Sequence, residues 1–268
     1  MKTLTAHCLK TLRDTSPLVH NITNFVVMNS SANILLALGA SPVMAQARDE
    51  VEDMASLAGA LVLNIGTLDN AWVESMILAG KSANRKGIPV VLDPVGAGAT
   101  RFRTLAAKRI LGECRVDVIR GNASEVLSLW EEGVTTRGVE SSCSLSDSVA
   151  EAAVRIAKSN GLVVAISGEE DCITDGMETY RVKNGHMLMT KVTGIGCGLS
   201  AVTAAFCAAQ PSTILQSVAA AFGFYGLCGE LAGSVASKPG TFFTAFLDAL
   251  YSAGEKEIMA SIRIAGPF

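Results

Sequence analysis

The chain of 268 residues is poor in aromatic side chains, which make up 5% of it, and holds only three histidines. Its cysteines (Cys8, Cys114, Cys143, Cys172, Cys197, Cys207 and Cys228) are odd in number, scattered singly, and include no C-x-x-C pair. That pattern argues against a disulfide framework or a zinc site and fits a reducing cytoplasm. Positive charge is short as well: 22 Lys and Arg face 25 Asp and Glu, for a net charge of −3, with no basic stripe. Nucleic-acid binding requires clustered cations to neutralise phosphates, so no such partner is expected. No charged region followed by an apolar core opens the chain; MKTLTAHCLKTLRD reads as an amphipathic helix, so no secretion signal is expected. The most apolar late segment, Ile214 to Val235, is broken by Gln216, several glycines and Glu230. Its clean apolar length falls short of a bilayer span, so a buried or interface helix is expected and no membrane partner.

What the chain does have is aliphatic mass. Hydrophobic residues make up 49%, mostly Ala, Val, Leu and Ile. This suits helices packed on a buried, mostly parallel sheet, an α/β fold. No linker, charge block or repeat divides the sequence, so one domain over residues 1–268 is expected. Strands are expected at Ala60–Asn64, Ile88–Asp93, Val116–Ile119 and Leu162–Ser167. They alternate with helices from about Asn70 to Arg85, over Arg101–Leu111, from near Asn122, and over Ser146–Ser159. This rhythm implies parallel strands with right-handed crossovers. Asp175-Gly176 and Asn184-Gly185 are hairpin signals, so Asp171–Thr174, Glu178–Val182 and His186–Met189 read as an antiparallel edge. Helices over Cys197–Ala209, Thr213–Ser234 and Gly240–Ala253 complete the picture.

In an open α/β sheet, ligands bind beyond the carboxyl ends of the parallel strands. Four polar or Gly-rich stretches fall there: Asn64–Leu68, Asp93–Thr100, Arg120–Glu125 and Ser167–Asp171. The sharpest segment is Thr193-Gly-Ile-Gly-Cys-Gly-Leu-Ser200, which runs straight into a helix. A helix N-terminus offers unpaired N–H groups and partial positive charge, which suits a phosphoryl group as well as a plain helix start. It is neither a Walker A loop, lacking Gly-Lys-Ser/Thr, nor a dinucleotide fingerprint. Asn122 and Glu125, three apart, read either as a capping box or as oxygen ligands for hydrated Mg²⁺. Asp93, ending a strand, could add a carboxylate, and Arg120 could bind a nucleotide phosphate.

Gly194-Ile-Gly-Cys-Gly198 at a helix start, with Asn122-x-x-Glu125 upstream, resembles the ribokinase-like superfamily of small-molecule kinases. Three further stretches narrow the resemblance: Pro17-Leu-Val-His-Asn-Ile-Thr-Asn-Phe25, Gly39-Ala-Ser-Pro-Val-Met44 and Asp93-Pro-Val-Gly-Ala-Gly-Ala-Thr100. Together with Asn29 and Ala32-Asn33, they are similar to the hydroxyethylthiazole kinase family of thiamine biosynthesis and salvage. The resemblance implies ATP-dependent phosphorylation of 4-methyl-5-(2-hydroxyethyl)thiazole, Mg²⁺ as cofactor, and a cytoplasmic homotrimer with active sites between subunits. By matching position it assigns Met44, Gly194, Asn24 and Val26 to the thiazole, and Arg120, Ser167, Gly196 and Gly198 to ATP. Asn122 and Glu125 match the superfamily's metal-associated pair, and Asp93 joins them as a metal candidate from its place at a strand end. Where the superfamily usually carries a catalytic Asp in the Gly-rich turn, this chain has Cys197, as some thiazole kinases do. His20 lies in the matched N-terminal stretch and suits a structural hydrogen bond at least as well as a substrate contact.

Overall fold

A computed structural model describes residues 1–130 and 147–268. Among these, nine strands form one sheet in the order β2-β1-β3-β4-β5-β6-β7-β8-β9. The first six are β1 (Leu18–Ile22), β2 (Ser41–Val43), β3 (Ala60–Asn64), β4 (Val90–Asp93), β5 (Val118–Asn122) and β6 (Val163–Ser167). All their pairings are parallel. Chain order reverses around β1, which lies between β2 and β3, so the sheet has its switch point there. The register sets Asn64 opposite Asp93 and Asn122 opposite Ser167, which aligns the four polar strand ends on one edge.

Alternation along each strand feeds two cores. In β3, Ala60 and Val62 face one cluster while Leu61 and Leu63 face the other. The first cluster takes side chains from α1 (Lys2–Thr15), α2 (Met28–Leu38), α8 (Ile195–Ala209), α9 (Ile214–Val235), α10 (Pro239–Ser252) and α11 (Glu255–Ser261). The second takes them from α3 (Val51–Leu57), α4 (Asn70–Lys86), α5 (Arg101–Glu113), α6 (Ala123–Leu127) and α7 (Asp147–Asn160). Strands covered on both faces need no polar face, hence their uninterrupted aliphatic runs. α9 is long and apolar enough to cross a membrane by composition, but it is mostly buried against the sheet and its neighbouring helices. Cys143 and Ser146 lie outside the described residues.

The far edge differs from expectation. β7 (Asp171–Thr174) and β8 (Thr179–Val182) form the antiparallel hairpin that Asp175-Gly176 signals. The segment after Asn184-Gly185 is not a strand: Met187–Lys191 is a 3₁₀ turn, and β9 (Ile264–Ala265) takes the place beside β8. The reason is a pair of long-range contacts. The Asn184 side chain accepts from the Arg263 N–H (2.6 Å) and donates to the Ser261 carbonyl (3.0 Å), which ties this loop to the C-terminal segment. His186 then accepts from the Leu188 N–H and starts the turn. Four elements between residues 17 and 57 (β1, α2, β2 and α3) also lie where the sequence reading placed none.

The Asn184 loop rests directly on α9, where a Cβ at Gly226 would overlap the Asn184 carbonyl. Gly226→Ala is therefore expected to destabilise the fold by about 1–3 kcal/mol, the range for overpacking a filled interior. Thermal melting measures it, and unchanged melting would show that the loop moves freely.

Candidate active site

Four neighbouring parallel strands, β3 to β6, end on a polar residue at the same edge: Asn64, Asp93, Asn122 and Ser167. At the end of β4, Asp93 is buried to 1% exposure. Its Oδ2 accepts from Asn64 Nδ2 (2.8 Å) and Ser200 Oγ (2.7 Å), and Arg120 Nη1 stands 3.8 Å away. Burial pushes the Asp93 carboxyl up to about 6; the Arg120 charge pulls it down and Glu125 raises it further. Asn64 is held by polarity: its amide N–H faces Asp93, so its Oδ1 accepts from Asn24 Nδ2 (2.9 Å) and the Gly66 N–H (3.0 Å). Asn24 Nδ2 also reaches Cys197 Sγ at 3.5 Å. The chain of contacts thus runs from Asp93 through Asn64 and Asn24 to Cys197.

Cys197 sits in the first turn of α8. Gly194 caps that helix in the left-handed conformation (φ 92°), and a Cβ there would lie 2.7 Å from Ser30 Oγ, so only glycine fits without strain. Buried Tyr225 donates to the Ile195 carbonyl (2.7 Å), and Arg120 Nη1 donates to the Gly196 carbonyl (2.9 Å), which fix the start of the helix from both sides. First-turn amides lack carbonyl partners four residues back, so this end presents N–H groups and the positive end of the helix dipole. The Cys197 thiol is pushed up to about 12, chiefly by burial and then by the Asp93 charge, against pulls from Asn64, Arg120 and Asn24. At neutral pH it is therefore a neutral thiol. Gly198 is buried, and a Cβ on it would meet Ile34 and Tyr225 at 2.5 and 2.7 Å, so its lack of a side chain serves packing.

Arg120, 7% exposed, also donates from Nη2 to Ser167 Oγ (2.7 Å), while its buried Nε finds no partner. The sequence-assigned Arg120, Ser167 and Gly196 therefore meet in one place. Asn122 and Glu125 form the capping box that their spacing allows: Asn122 Oδ1 accepts from the Glu125 N–H (2.9 Å), and Glu125 Oε2 from the Asn122 N–H (3.0 Å). Glu125 Oε1 accepts from the Gly96 N–H (2.8 Å), so this carboxylate also pins the Asp93 loop. Among the described residues no three His, Cys, Asp or Glu side chains cluster as a protein metal cage.

Met44 follows β2, half-buried, and Val26 is 66% exposed in the turn after Asn24. Neither side chain enters the hydrogen-bonded network. His20, fully buried in β1, binds the Ala45 carbonyl through Nε2 at 2.6 Å; a carbonyl only accepts, so Nε2 carries the proton. Burial lowers the pKa of this ring, and its bond holds the segment that carries Met44. Sequence reasoning placed Asn64 in a strand-end stretch and Ser200 in the Gly-rich segment but gave neither a role in the site. Asn64 left a signal, a polar residue closing an aliphatic strand; Ser200 is a serine three places after Cys197 on an apolar helix.

Asp171 lies just behind the site. It is buried, accepts from the Gly168 N–H (3.0 Å), and is raised to about 7, first by burial, against the Gly168 bond and Arg120. A folded pKa above the unfolded value of about 3.9 means the native state binds more protons between these limits, so stability falls as pH rises through that window. At about 1.4 kcal/mol per pKa unit the effect is a few kcal/mol. Asp171→Asn is therefore expected to be more stable than wild type at pH 8 and equal to it near pH 4, as read by denaturant unfolding. Equal destabilisation at both values would contradict the shift.

The hydroxyethylthiazole kinase family matches residues 9–256 of the chain. A hydroxyethylthiazole kinase of Desulfotalea psychrophila is 52% identical over 259 residues, which cover 97% of this chain and 94% of that protein. The solved structure of a hydroxyethylthiazole kinase protein from Pyrococcus horikoshii superposes with a TM-score of 0.90 at 43% identity, covering 98% of each chain. A ribokinase-like superfamily protein from Enterococcus faecalis, at 12% identity and TM-score 0.64, covers 92% of this chain and 89% of its own, and shares the fold. With its Gly-rich helix start, its polar strand ends and these matches over nearly its whole length, the chain belongs to the hydroxyethylthiazole kinase family.

Proposed function

We propose that the chain, acting as one kinase domain over residues 1–268, transfers the γ-phosphoryl group of ATP to the hydroxyl of 4-methyl-5-(2-hydroxyethyl)thiazole. The observation that carries this reading is the meeting of the α8 N-terminus, Arg120 and Cys197 at the carboxyl ends of the parallel strands. Phosphoryl transfer passes through a loose transition state with charge spread over the equatorial oxygens, so positioning and charge stabilisation supply most of the catalysis. The unpaired first-turn amides of α8, that of Gly196 among them, would receive that charge, whereas the Gly198 N–H is already bonded to the Gly194 carbonyl (2.7 Å), which leaves Gly198 a packing role. Arg120 and Ser167 would hold the ATP phosphates, the unpartnered Arg120 Nε being a donor in reserve. Asn24, Val26, Met44 and Gly194 would line the thiazole pocket.

Of the three metal candidates, Asp93 and Glu125 fit Mg²⁺ through its water shell, whereas Asn122 Oδ1 already accepts from the Glu125 N–H (2.9 Å) and the Ser124 hydroxyl (2.8 Å) and would act only by holding Glu125. Each oxygen of Glu125 already accepts one backbone N–H, and each keeps a second lone pair that a metal-bound water could use. Mg²⁺ holds waters readily and binds through one or two carboxylates together with substrate phosphates, where it neutralises developing charge. The reading includes a cytoplasmic homotrimer with sites between subunits. Phe25 and Val26, 65% and 66% exposed beside Asn24, are apolar side chains that a neighbouring subunit would cover.

The direct test measures ATP consumption with the thiazole alcohol and with the hydroxymethylpyrimidine of thiamine in parallel. Turnover on the thiazole alcohol supports the reading; turnover on the pyrimidine alone makes the chain a sister kinase, and ATP binding with neither makes it a nucleotide-binding protein. Glu125→Gln separates metal positioning from capping. It is expected to lower stability by about 1 kcal/mol, as for one lost hydrogen bond, and to cut turnover strongly at limiting Mg²⁺. Full turnover there would leave Glu125 a cap alone.

Cys197 marks where the substrate hydroxyl would sit. A neutral thiol is a poor base, and a carboxylate under the same burial and the same Asp93 field would titrate far lower. Cys197→Asp is therefore expected to keep or raise kcat, and Cys197→Ala to keep partial activity, since a positioned base contributes about 10²–10⁴-fold. An inactive, folded Asp variant beside a fully active Ala variant would withdraw Cys197 from catalysis.

A further inference from the structure

Arg103 stands on the first turn of α5, and among the described residues its guanidinium bonds only main-chain carbonyls. Nη1 donates to Ile65 (3.0 Å) and Val95 (2.8 Å), and Nη2 donates to Gly66 (2.8 Å). Ile65 and Gly66 belong to the loop after β3, Val95 to the loop after β4, so one planar fork spans two strand ends. The fork presents five donors in fixed directions, which a lysine ammonium does not reproduce.

Each loop in turn carries one half of the site. The loop after β3 fixes the Asn24 turn: Gly66 N–H and Asn24 Nδ2 share Asn64 Oδ1, Thr67 Oγ1 accepts from the Phe25 N–H, and a Cβ at Gly66 would lie 2.5 Å from Asn24 Nδ2. The loop after β4 fixes the opposite half, since its Gly96 N–H holds Glu125. Gly96 is left-handed (φ 73°), and a Cβ there would sit 3.0 Å from Arg103 Cδ, so the loop is shaped closely around this side chain.

We propose that Arg103 is a positioning residue: it staples the alcohol-side loop to the phosphate-side loop and so sets the distance the phosphoryl group must cross. The catalytic consequence rests on the phosphotransfer reading above; the staple does not. Two readouts on Arg103→Ala and Arg103→Lys test it. Hydrogen exchange by mass spectrometry should quicken over residues 64–68 and 94–99 in both variants, with the central strands and α8 unchanged. In the same variants kcat should fall about 100-fold for Ala, the scale of a displacement of about 1 Å, with both KM values within about threefold of wild type. Lys should recover no more than about tenfold of that loss, whereas millimolar ethylguanidinium should restore about tenfold to the Ala variant and nothing to wild type.

Unchanged exchange in both loops, or a folded Arg103→Ala with kcat within about threefold of wild type, would overturn the proposal. Should Arg103→Ala fail to fold, Arg103→Lys decides by the same two readouts, and wild-type values there overturn it. Should wild type lack turnover on the thiazole alcohol, the substrate reading fails separately and the exchange result still decides the staple.

Discussion

The buried carboxylate of Asp93 is the constraint on which the site depends. Removing a carboxylate from water is expensive unless hydrogen bonds and a countercharge replace the hydration. Here Asn64 and Ser200 donate to one oxygen and the Arg120 guanidinium stands 3.8 Å away. Those three partners come from β3, α8 and β5, so satisfying one charge draws together a strand end, a helix start and a neighbouring strand. The same charge fixes the amide of Asn64 and through it the amide of Asn24, and it adds to the burial that chiefly raises the Cys197 thiol. A packed structure could tolerate a leucine at this depth. It would then lose the polarity that orients Asn64, Ser200 and Arg120.

A neutral Cys197 changes what the Gly-rich turn has to do. Where a carboxylate in this turn would take up the alcohol proton, the thiol offers soft contact and small volume. In the proposed reaction the charge stabilisation would then fall to the α8 amides and Arg120, and the geometry of the loops would carry more of the catalysis. This is consistent with how tightly those loops are tied: Glu125 joins the β4 and β5 ends, Tyr225 and Arg120 hold the helix start, and Arg103 spans the β3 and β4 loops.

Much of this was legible in the sequence. Ala60–Asn64 is a strand with the expected bounds, and Asn64, Asp93, Asn122 and Ser167 do end four parallel neighbours, because a buried strand must be aliphatic until it reaches solvent or ligand. The Asn122–Glu125 spacing allowed a capping box, and the box is formed. Residues 17–57 were opaque as elements, since β2 is three residues long and α2 is so apolar on several sides that its periodicity is weak. The third edge strand was misplaced because Asn184-Gly185 is a hairpin signal only when the asparagine side chain is free, and here residues some eighty places later claim it. Contacts such as Asn64 to Asp93 or Arg103 to Gly66 depend on strand register and on side-chain reach, which spacing alone does not encode.

The central claim, that the Asp93 charge holds the strand end and the helix start as one unit, is tested most directly by a double-mutant cycle. Asn64→Ala, Ser200→Ala and the double variant would be compared by denaturant unfolding near pH 8, where Asp93 is ionised. Both side chains donate to the same oxygen, so removing either leaves the charge to the other, and the account predicts a coupling of about 0.5–3 kcal/mol. Additivity within about 0.3 kcal/mol would show that the two contacts are independent and would contradict it.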